Sequence, residues 1–450
     1  MNQANSKILI ITLEPIGDKM AGPAIRALEI GKRLATEFPT TVLSPVKSEG
    51  SFAAAQNLPA GMKLVQGAGK KLVAQLALSA TAIFVQANVL KPFPFLASMG
   101  KHLIVDLYDP YLFSVLVQYK DDPVQAGSSY RLMHQVLEAH MTRADFTVCA
   151  SERQRDYWLG RFCALGRVSP KVYAIDRSLR KLIDVVPYGV PEEAPRRIPG
   201  RGLRDRLPSL GNAPVLLWGG GIWDWFDPLT VIKAVKACLP RIPDLKLVFM
   251  GTKSPNPKVP VMDMTEKARA LAGELSLTDE SIFFLDGWVP YEERSSYLLD
   301  ATIAVSAHFD LPETRFSFRT RILDYFWCGL PILTTRGDQL ADMIDNRAGL
   351  SLPYEDVEAW QKAIEGILLS PQQELLESMK KGSLELAREF LWDKNVEPLR
   401  NFLREPHHLP DFEKVTMPNL FERAHAVYRR GGQELILKRS AELFGDILKS

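Results

Sequence analysis

Residues 213–239, APVLLWGGGIWDWFDPLTVIKAVKACL, contain the pattern on which the fold prediction depends. The apolar run 215–218 is followed by three glycines and then by apolar residues at helical spacing between Leu229 and Leu239. A short, nearly continuous apolar run before an amphipathic helix is typical of a parallel strand whose two faces are covered by helices. This segment therefore predicts the first βα unit of an α/β domain.

The same pattern begins once before, near Lys7, and repeats along both halves of the chain. In the first half, the strand candidates are residues 8–13, 41–43, 82–85, 103–107, 146–149 and 183–186. In the second half, they are residues 215–218, 245–250, 282–285, 303–306 and 332–335. We therefore predict the α/β fold class, with two Rossmann-like domains that each contain a parallel sheet.

The predicted domain boundaries follow the two starts of this pattern. Residues 1–191 form the expected N-terminal domain, and residues 213–375 form the expected C-terminal domain. Residues 192–212 are rich in proline, glycine and arginine and contain no clear strand, which favours a linker over a long surface loop within one domain. For residues 376–450 we expect C-terminal helices that pack partly on the N-terminal domain.

Charge balance and apolar patterning limit the function classes. The chain has 55 basic and 53 acidic residues, whereas a dedicated nucleic-acid binder usually shows a clear basic excess. No apolar run of about 18 residues occurs and the amino terminus lacks a secretory-signal pattern, so we expect a cytoplasmic protein. The four cysteines have no metal-ligand or redox spacing, and neither a metal nor a cofactor is expected.

The loop after the first strand is one candidate site, because ligands of open parallel sheets bind beyond the carboxyl ends of the strands. This loop ends at Gly22, before Pro23 and a predicted helix. A glycine there allows close approach of the backbone to a ligand. The loop lacks a GxGxxG fingerprint, so a plain tight turn explains it as well as a substrate loop does.

The matching loop of the second half is a stronger candidate. Gly219, Gly220 and Gly221 follow a buried strand, and their unobstructed amides would donate hydrogen bonds to phosphate oxygens. Trp223 and Trp225, if exposed, would stack on a ring. The alternative is a glycine-rich turn with core aromatics.

Residues 310–329, DLPETRFSFRTRILDYFWCG, are the most informative for function. A helix is predicted to begin near Thr320, so Arg319 and Arg321 would point from its amino end into a cleft. Two guanidinium groups beside free helix amides would bind a diphosphate, and Asp324 would accept hydrogen bonds from ribose hydroxyls. A solvated charged face is the alternative, but the aromatic FSF and DYFW neighbours argue against it.

These segments resemble the retaining glycosyltransferases of family 4, which have the GT-B fold. Residues 322–333, ILDYFWCGLPIL, are similar to the family's LLEAMACGLPVV and form the most specific match. Residues 185–190 (VVPYGV) and 283–293 (FFLDGWVPYEE) give weaker support. The resemblance implies that Asp324 binds the donor ribose, that the backbone near Val289 meets the nucleotide base, and that Gly22 lies on the acceptor side.

Two departures from the family pattern concern the donor site. The first motif carboxylate, which contacts the donor sugar in the family, would fall on Phe316 by strict spacing. A short insertion would move that role to Asp310 or Glu313, of which we favour Glu313. The family also has an arginine and a lysine near the second glycine-rich loop, whereas the corresponding residues 219–229 of this chain, GGGIWDWFDPL, contain neither. Arg319, Arg321 and Lys253 would then compensate.

The resemblance implies a metal-independent glycosyltransferase that retains the anomeric configuration. It would move a sugar from a nucleotide-sugar donor to a hydroxyl of a saccharide or lipid-linked saccharide. We expect a role in cell-envelope polysaccharide or glycolipid synthesis, without a nucleic-acid partner. Peripheral contact with the inner membrane face is a separate, weaker hypothesis. The rival functions are a GT-B-fold nucleotide-sugar epimerase, which needs a general acid and base, and a non-catalytic nucleotide-sugar-binding subunit.

The residues expected to act in catalysis come from both halves of the chain. In the second half they are Glu313, Arg319 and Arg321. In the first half, the segment VDLYDPY follows a strand and contains Asp106 and Asp109, either of which would steer the acceptor hydroxyl. His102 is a weaker acceptor-side candidate. His308 follows a strand near the proposed donor sugar, but packing explains it equally well.

Overall fold

The computed structural model describes residues 6–48, 58–256, 259, 262–370 and 374–410, and positions 425, 428, 429, 432 and 433 of the tail. The strands of a first sheet are β1 (Ile8–Ile11), β2 (Thr40–Ser44), β3 (Met62–Gln66), β4 (Ala82–Gln86), β5 (His102–Asp106), β6 (Phe146–Cys149) and β7 (Ile183–Val185). The strands of a second sheet are β8 (Val215–Gly219), β9 (Lys246–Met250), β10 (Ile282–Leu285), β11 (Ile303–Ser306), β12 (Ile332–Thr335) and β13 (Gly349–Leu352).

Helices flank both sheets. In the first half they are α1 (Gly22–Leu34), α2 (Lys70–Ser79), α3 (Tyr111–Gln118), α4 (Pro123–Arg143), α5 (Glu152–Ala164), α6 (Pro170–Ile175) and α7 (Leu203–Arg206). In the second half they are α8 (Pro228–Cys238), α9 (Asp263–Glu274), α10 (Arg294–Leu298), α11 (Pro312–Phe316), α12 (Arg321–Trp327), α13 (Gln339–Ile344), α14 (Val357–Leu368), α15 (Glu374–Ala387), α16 (Trp392–Asn395) and α17 (Glu397–Arg404). Among these described helices, none combines the length and apolar content that a membrane span requires.

Both sheets are parallel and have the same doubly wound order around their first strand. The first runs β3-β2-β1-β4-β5-β6-β7, and the second runs β10-β9-β8-β11-β12-β13. Every strand pair in them is parallel. The chain order reverses beside β1 and beside β8, so each sheet has a crevice at the carboxyl end of that strand.

The central strand β1 shows why the apolar runs are continuous. Ile8 and Ile10 pack into one apolar cluster, whereas Leu9 and Ile11 pack into a second cluster on the opposite face. All four side chains are at most 2% exposed. Because successive residues of a strand point to opposite faces, helices on both faces select apolar residues at every position.

The predicted α/β fold class with two parallel Rossmann-like sheets and C-terminal helices is confirmed. Each of the eleven predicted strands is present, and no end differs from the prediction by more than two residues. The sequence did not predict β3 and β13, which lie at sheet edges and have half-exposed positions. These two edge strands have less cover and lack the continuous apolar run that marked the others, whereas the edge strand β10 (IFFL) is well covered and was predicted.

The C-terminal helices cross from the second sheet to the helices of the first. Phe402 of α17 stacks on Phe146 of β6, with ring centroids 4.9 Å apart. The Arg400 guanidinium donates a hydrogen bond to the Arg33 carbonyl of α1 at 3.1 Å. The helices predicted for residues 411–450 lie almost entirely outside the described residues.

Candidate functional site

A cavity of about 350 Å³ lies between the carboxyl ends of the two sheets. Its lining from the first half of the chain is Glu14, Met20, Ala21, Gly22, Pro23, Ile25, Tyr108, Asp109 and Tyr188. Its lining from the second half includes the glycine loop after β8, the loops after β9 and β10, and the amino end of α12. Because both crevices open into one space, a ligand there would contact both sheets.

The predicted site residues fall into two groups. Those that line the cavity are Gly22, Asp109, Gly219, Gly220, Gly221, Val289, Arg319, Arg321 and Asp324. Those that do not are Asp106, Lys253 and Glu313. The structure therefore brings together the glycine loop, both arginines and the Asp324 carboxylate.

Backbone geometry in the glycine loop depends on the absence of side chains. A Cβ atom at Gly219 would lie 2.9 Å from the Tyr325 ring, and Gly220 has a φ of +121°, which other residues rarely adopt. The Gly219 amide donates a 2.7 Å hydrogen bond to the Tyr325 hydroxyl. The loop is thus held against α12, next to the arginine that begins this helix.

Arg321 is a cation without a carboxylate partner among the described residues. Its Nη2 donates a hydrogen bond of 2.6 Å to the Gly221 carbonyl, and its guanidinium carbon lies 4.2 Å from the centroid of the Phe226 ring. Its Nη1 is buried and donates no hydrogen bond in the described structure. Burial lowers the pKa of Arg321 to about 10, and the nearby charge of Arg319 adds to this effect. A desolvated, unmatched guanidinium beside the half-buried Gly220 and Gly221 favours binding of an anion.

Arg319 differs from Arg321 because its charge is already balanced. Its Nη2 donates to Glu313 Oε2 at 2.6 Å, and its Nη1 donates to Glu313 Oε1 at 3.0 Å. The Glu313 side chain is only 1% exposed, and Ser317 also donates a hydrogen bond to it. The expectation that Glu313 faces the donor sugar directly therefore needs correction, because the carboxylate lies behind Arg319 as the counter-charge of this guanidinium.

Asp324 lines the cavity, as predicted, but it has a partner that the sequence did not suggest. Arg294, the first residue of α10, donates through Nε to Asp324 Oδ1 at 3.0 Å. Arg294 also lines the cavity. The sequence does show Arg294 directly after the VPYEE segment. Nothing in the spacing, however, indicated that it would contact α12, which begins 27 residues later.

The two first-half carboxylates have different surroundings. Asp106 is fully buried and accepts two hydrogen bonds from Arg26, of 2.7 Å and 2.9 Å. The expectation that Asp106 contacts an acceptor needs correction, because this desolvated carboxylate is fully buried and balances the charge of the buried Arg26 guanidinium. Asp109 does line the cavity, where burial and then the negative charge of Glu313 raise its pKa to about 7.

The remaining candidates do not line the cavity. His102 begins β5, so it is at the amino end of the first sheet, opposite the cavity. It lies near Asp145 and His408, and ligand atoms of these three side chains are within 4.8 Å of one another. His308 is buried, with Nε2 3.1 Å from Asp338, and burial lowers its pKa well below the usual value. Lys253 is an exposed loop residue outside the lining.

Aromatic side chains form part of the cavity wall. Trp223 and Trp225 are half-buried, and their rings stack in parallel with centroids 5.3 Å apart. Trp288 also lines the cavity, and its indole donates a 2.8 Å hydrogen bond to the Met20 carbonyl of the other half. The Tyr291 amide donates to the Asp18 carbonyl at 2.7 Å. These two contacts hold the first-half loop against the loop that follows β10.

Residues 213–370 match the sequence model of the family described as glycosyl transferases group 1. A D-inositol 3-phosphate glycosyltransferase of Saccharomonospora viridis is 26% identical over 235 residues. This match covers 50% of this chain and 52% of that protein, so it spans about half the length of the relative.

Solved structures are similar over most of the chain. Anabaena HepE, determined in complex with UDP and glucose, has a TM-score of 0.63 and 13% identity, and covers 89% of this chain and 99% of its own. WaaG, a glycosyltransferase involved in lipopolysaccharide biosynthesis, has a TM-score of 0.57 and 14% identity, and covers 88% and 99%. The two sheets and the cavity between them define a two-domain α/β protein of the GT-B fold class. The chain is similar to the group 1 glycosyl transferases, and the resemblance predicted from its motifs is confirmed.

Proposed function

We propose that the protein is a glycosyltransferase that moves a sugar from a nucleotide-sugar donor to a hydroxyl acceptor, with retention of configuration. The observation that carries this proposal is the unmatched guanidinium of Arg321 beside the glycine loop, within the cavity between the two sheets. A half-buried cation that has no counter-charge and whose Nη1 is buried without a hydrogen bond is unfavourable by itself, so a site that keeps one is suited to an anionic ligand. The diphosphate of a nucleotide sugar is such a ligand.

The order of groups along the cavity supports one orientation of the donor. The diphosphate would accept hydrogen bonds from Arg321 and from the Gly221 amide, since the Gly220 amide already donates to the Met250 carbonyl at 2.8 Å. The ribose hydroxyls would donate to Asp324, and the base would lie near Val289. This orientation directs the sugar toward Arg319 and Asp109. The proposed domain boundaries, 1–191 and 213–375, put Asp109 on the acceptor side and the other groups on the donor side.

Catalysis would rest on charge stabilisation at the leaving group. As the bond from the sugar to the diphosphate breaks, negative charge grows on the diphosphate oxygen next to Arg321. Loss of one such preorganised donor typically costs about 10²–10³ in rate. Asp109, whose pKa is raised to about 7, can accept the hydrogen bond of an acceptor hydroxyl near neutral pH. The Arg319 and Glu313 pair would set the polarity of the wall next to the sugar.

A saccharide or lipid-linked saccharide is the proposed acceptor, in synthesis of a cell-envelope polysaccharide or glycolipid. WaaG, which has a similar fold, is involved in lipopolysaccharide biosynthesis, and this supports the proposed class of acceptor. Peripheral membrane contact is a separate proposal. Arg196, Arg197, Arg201 and Arg206 are exposed on the segment between the sheets and would attract anionic lipids. Co-sedimentation with anionic vesicles tests this part, and absence of the protein from the pellet would refute it.

Two successive measurements test the proposed activity. Calorimetry with UDP, GDP, ADP and CDP identifies the preferred nucleoside diphosphate, and the corresponding nucleotide sugars are then incubated with saccharide acceptors. We expect binding, followed by acceptor-dependent release of the nucleoside diphosphate. Binding without turnover in any acceptor mixture would support a non-catalytic subunit. Conversion of the donor to an epimer without acceptor would support an epimerase. No binding by any of the four would refute the proposal.

A further inference from the structure

The guanidinium of Arg294 is fixed at the ribose end of the cavity by contacts on several sides. Arg294 is 9% exposed. Its Nη1 donates a hydrogen bond to the Tyr291 carbonyl at 2.7 Å, and its Nε donates to Asp324 Oδ1 at 3.0 Å. The guanidinium carbon lies 3.7 Å from the Tyr291 ring centroid and 4.8 Å from that of Trp327. An arginine held in this way has little freedom to move when a ligand enters.

Asp324, in contrast, depends on this one contact for its orientation. Its side chain is 31% exposed and lies on the seven-residue helix α12. Among the described residues, only Arg294 donates a hydrogen bond to its carboxylate. Occupation of Oδ1 fixes the plane of the carboxylate and leaves Oδ2 as the acceptor for a ligand. Preorganised acceptors of this kind bind better than freely rotating ones, because less entropy is lost on binding.

The charge of Arg294 has a second effect on the same ligand. Asp324 and the proposed diphosphate site lie in one cavity, where an uncompensated carboxylate would repel a nucleoside diphosphate. Arg319 is paired with Glu313 and supplies little net charge, and Arg321 would be engaged by the diphosphate itself, so neither of them is left to offset Asp324. Arg294 cancels the charge of Asp324 at contact distance and keeps its hydrogen-bonding capacity.

We propose that Arg294 is a positioning residue that acts through Asp324 and sets the preference of the site for ribonucleoside over deoxyribonucleoside diphosphates. The proposal rests on the nucleotide-sugar site described above. Arg294 would not bind the nucleotide itself. It holds the carboxylate that accepts a ribose hydroxyl, so its loss affects ligands that have this hydroxyl more than ligands that lack it.

The test is calorimetry with the ribonucleoside diphosphate that binds most tightly among UDP, GDP, ADP and CDP, and with its 2′-deoxy form. We expect wild type to prefer the ribose form. Arg294→Met is expected to bind the ribose form about tenfold more weakly and to lose most of the preference. Arg294→Lys keeps the charge without the planar fork, so it should fall between the two. In donor turnover, the change should appear mainly in KM and not in kcat.

A double-mutant cycle with Asp324→Asn separates action through Asp324 from a general structural effect. If Arg294 acts through this carboxylate, Arg294→Met adds little once Asp324→Asn is present. Arg347→Met is a matched control, because Arg347 pairs with Glu389 at 2.9 Å away from the cavity. It should leave both affinities unchanged. Thermal unfolding of each variant checks that it is folded, and Arg294→Lys serves if Arg294→Met does not fold.

The outcomes separate this inference from the proposed function. Unchanged affinity and preference in the folded Arg294 variants would overturn the positioning role while leaving the nucleotide site intact. Additive effects of Arg294→Met and Asp324→Asn would also overturn it. If wild type binds none of the four nucleoside diphosphates, the proposed function fails, and the inference falls with it.

Discussion

Substitution of Arg321 by methionine is the change that most clearly separates ligand binding from stability. Methionine keeps the unbranched shape of the side chain but removes the guanidinium. In the folded protein, this group has no carboxylate partner among the described residues, and burial lowers its pKa to about 10. The folded protein therefore keeps this charge at a cost in stability, and a bound diphosphate would accept hydrogen bonds from it.

The expected loss of affinity follows from the hydrogen bonds that Arg321 can make. Its Nη1 is unused, and a hydrogen bond between a charged donor and a charged acceptor contributes about 1.5–3 kcal/mol. Arg321→Met should therefore weaken the binding of a nucleoside diphosphate by about 10- to 150-fold. The corresponding nucleoside, which lacks phosphates, should bind the variant and wild type equally. Calorimetry with both ligands measures the two affinities.

Stability of the ligand-free protein should change little, in contrast to affinity. The pKa of Arg321 is lower in the folded protein than its usual 12.5, so the charged form is disfavoured by folding at neutral pH. Loss of the bond to the Gly221 carbonyl offsets part of the gain. In urea unfolding, the free energy of unfolding of the ligand-free variant should be at most about 1 kcal/mol below that of wild type. Unchanged diphosphate affinity in a folded Arg321→Met protein would refute the assignment of this side chain.

Four further predictions concern other parts of the site. Arg319→Met should lower the free energy of unfolding by about 3–5 kcal/mol, because the buried carboxylate of Glu313 loses its counter-charge. Urea unfolding measures this loss, and a value below about 1 kcal/mol would contradict the pairing. For Asp109, ionisation near its pKa of about 7 should make kcat rise as the pH increases through 7, whereas Asp109→Asn should show no such rise. Because the pKa of Asp109 is raised from 3.8 to about 7 by folding, the contribution of Asp109 to stability is present at low pH and is lost as the pH rises toward 7. In urea unfolding, the stability of Asp109→Asn relative to wild type should therefore increase as the pH rises from 3.8 to about 7. Gly219→Ala should weaken nucleoside diphosphate binding by about tenfold or more, since its Cβ would lie 2.9 Å from the Tyr325 ring; equal affinity in calorimetry would show that the loop tolerates a side chain.

The strands of the sheet interiors could be predicted from the sequence because burial on both faces selects an apolar residue at every position. β1, with the sequence ILII, is an example. β3 and β13 could not be predicted in this way, because MKLVQ and GLSL are only partly buried and resemble polar surface segments. Predictions based on continuous apolar runs therefore miss edge strands whose faces are poorly covered, although the well-covered edge strand β10 (IFFL) was predicted.

Parts of the site that come from one short segment could also be predicted. Arg321 and Asp324 are three residues apart on one helix, and both line the cavity, as does the glycine loop. What the sequence could not give was the partner of each charge. Asp106 is paired with Arg26, 80 positions away in the chain, and Asp324 with Arg294, 30 positions away. Such pairings depend on how helices pack on the sheets, which local patterns do not encode.

A crystal structure of the protein with its tightest-binding nucleoside diphosphate tests the central claim most directly. We expect the diphosphate to lie between the two sheets, with oxygens about 3 Å from Arg321 Nη1 and from the Gly221 amide. The ribose should contact Asp324. A ligand bound at full occupancy elsewhere, with the Arg321 guanidinium still unpartnered, would contradict the proposed donor site.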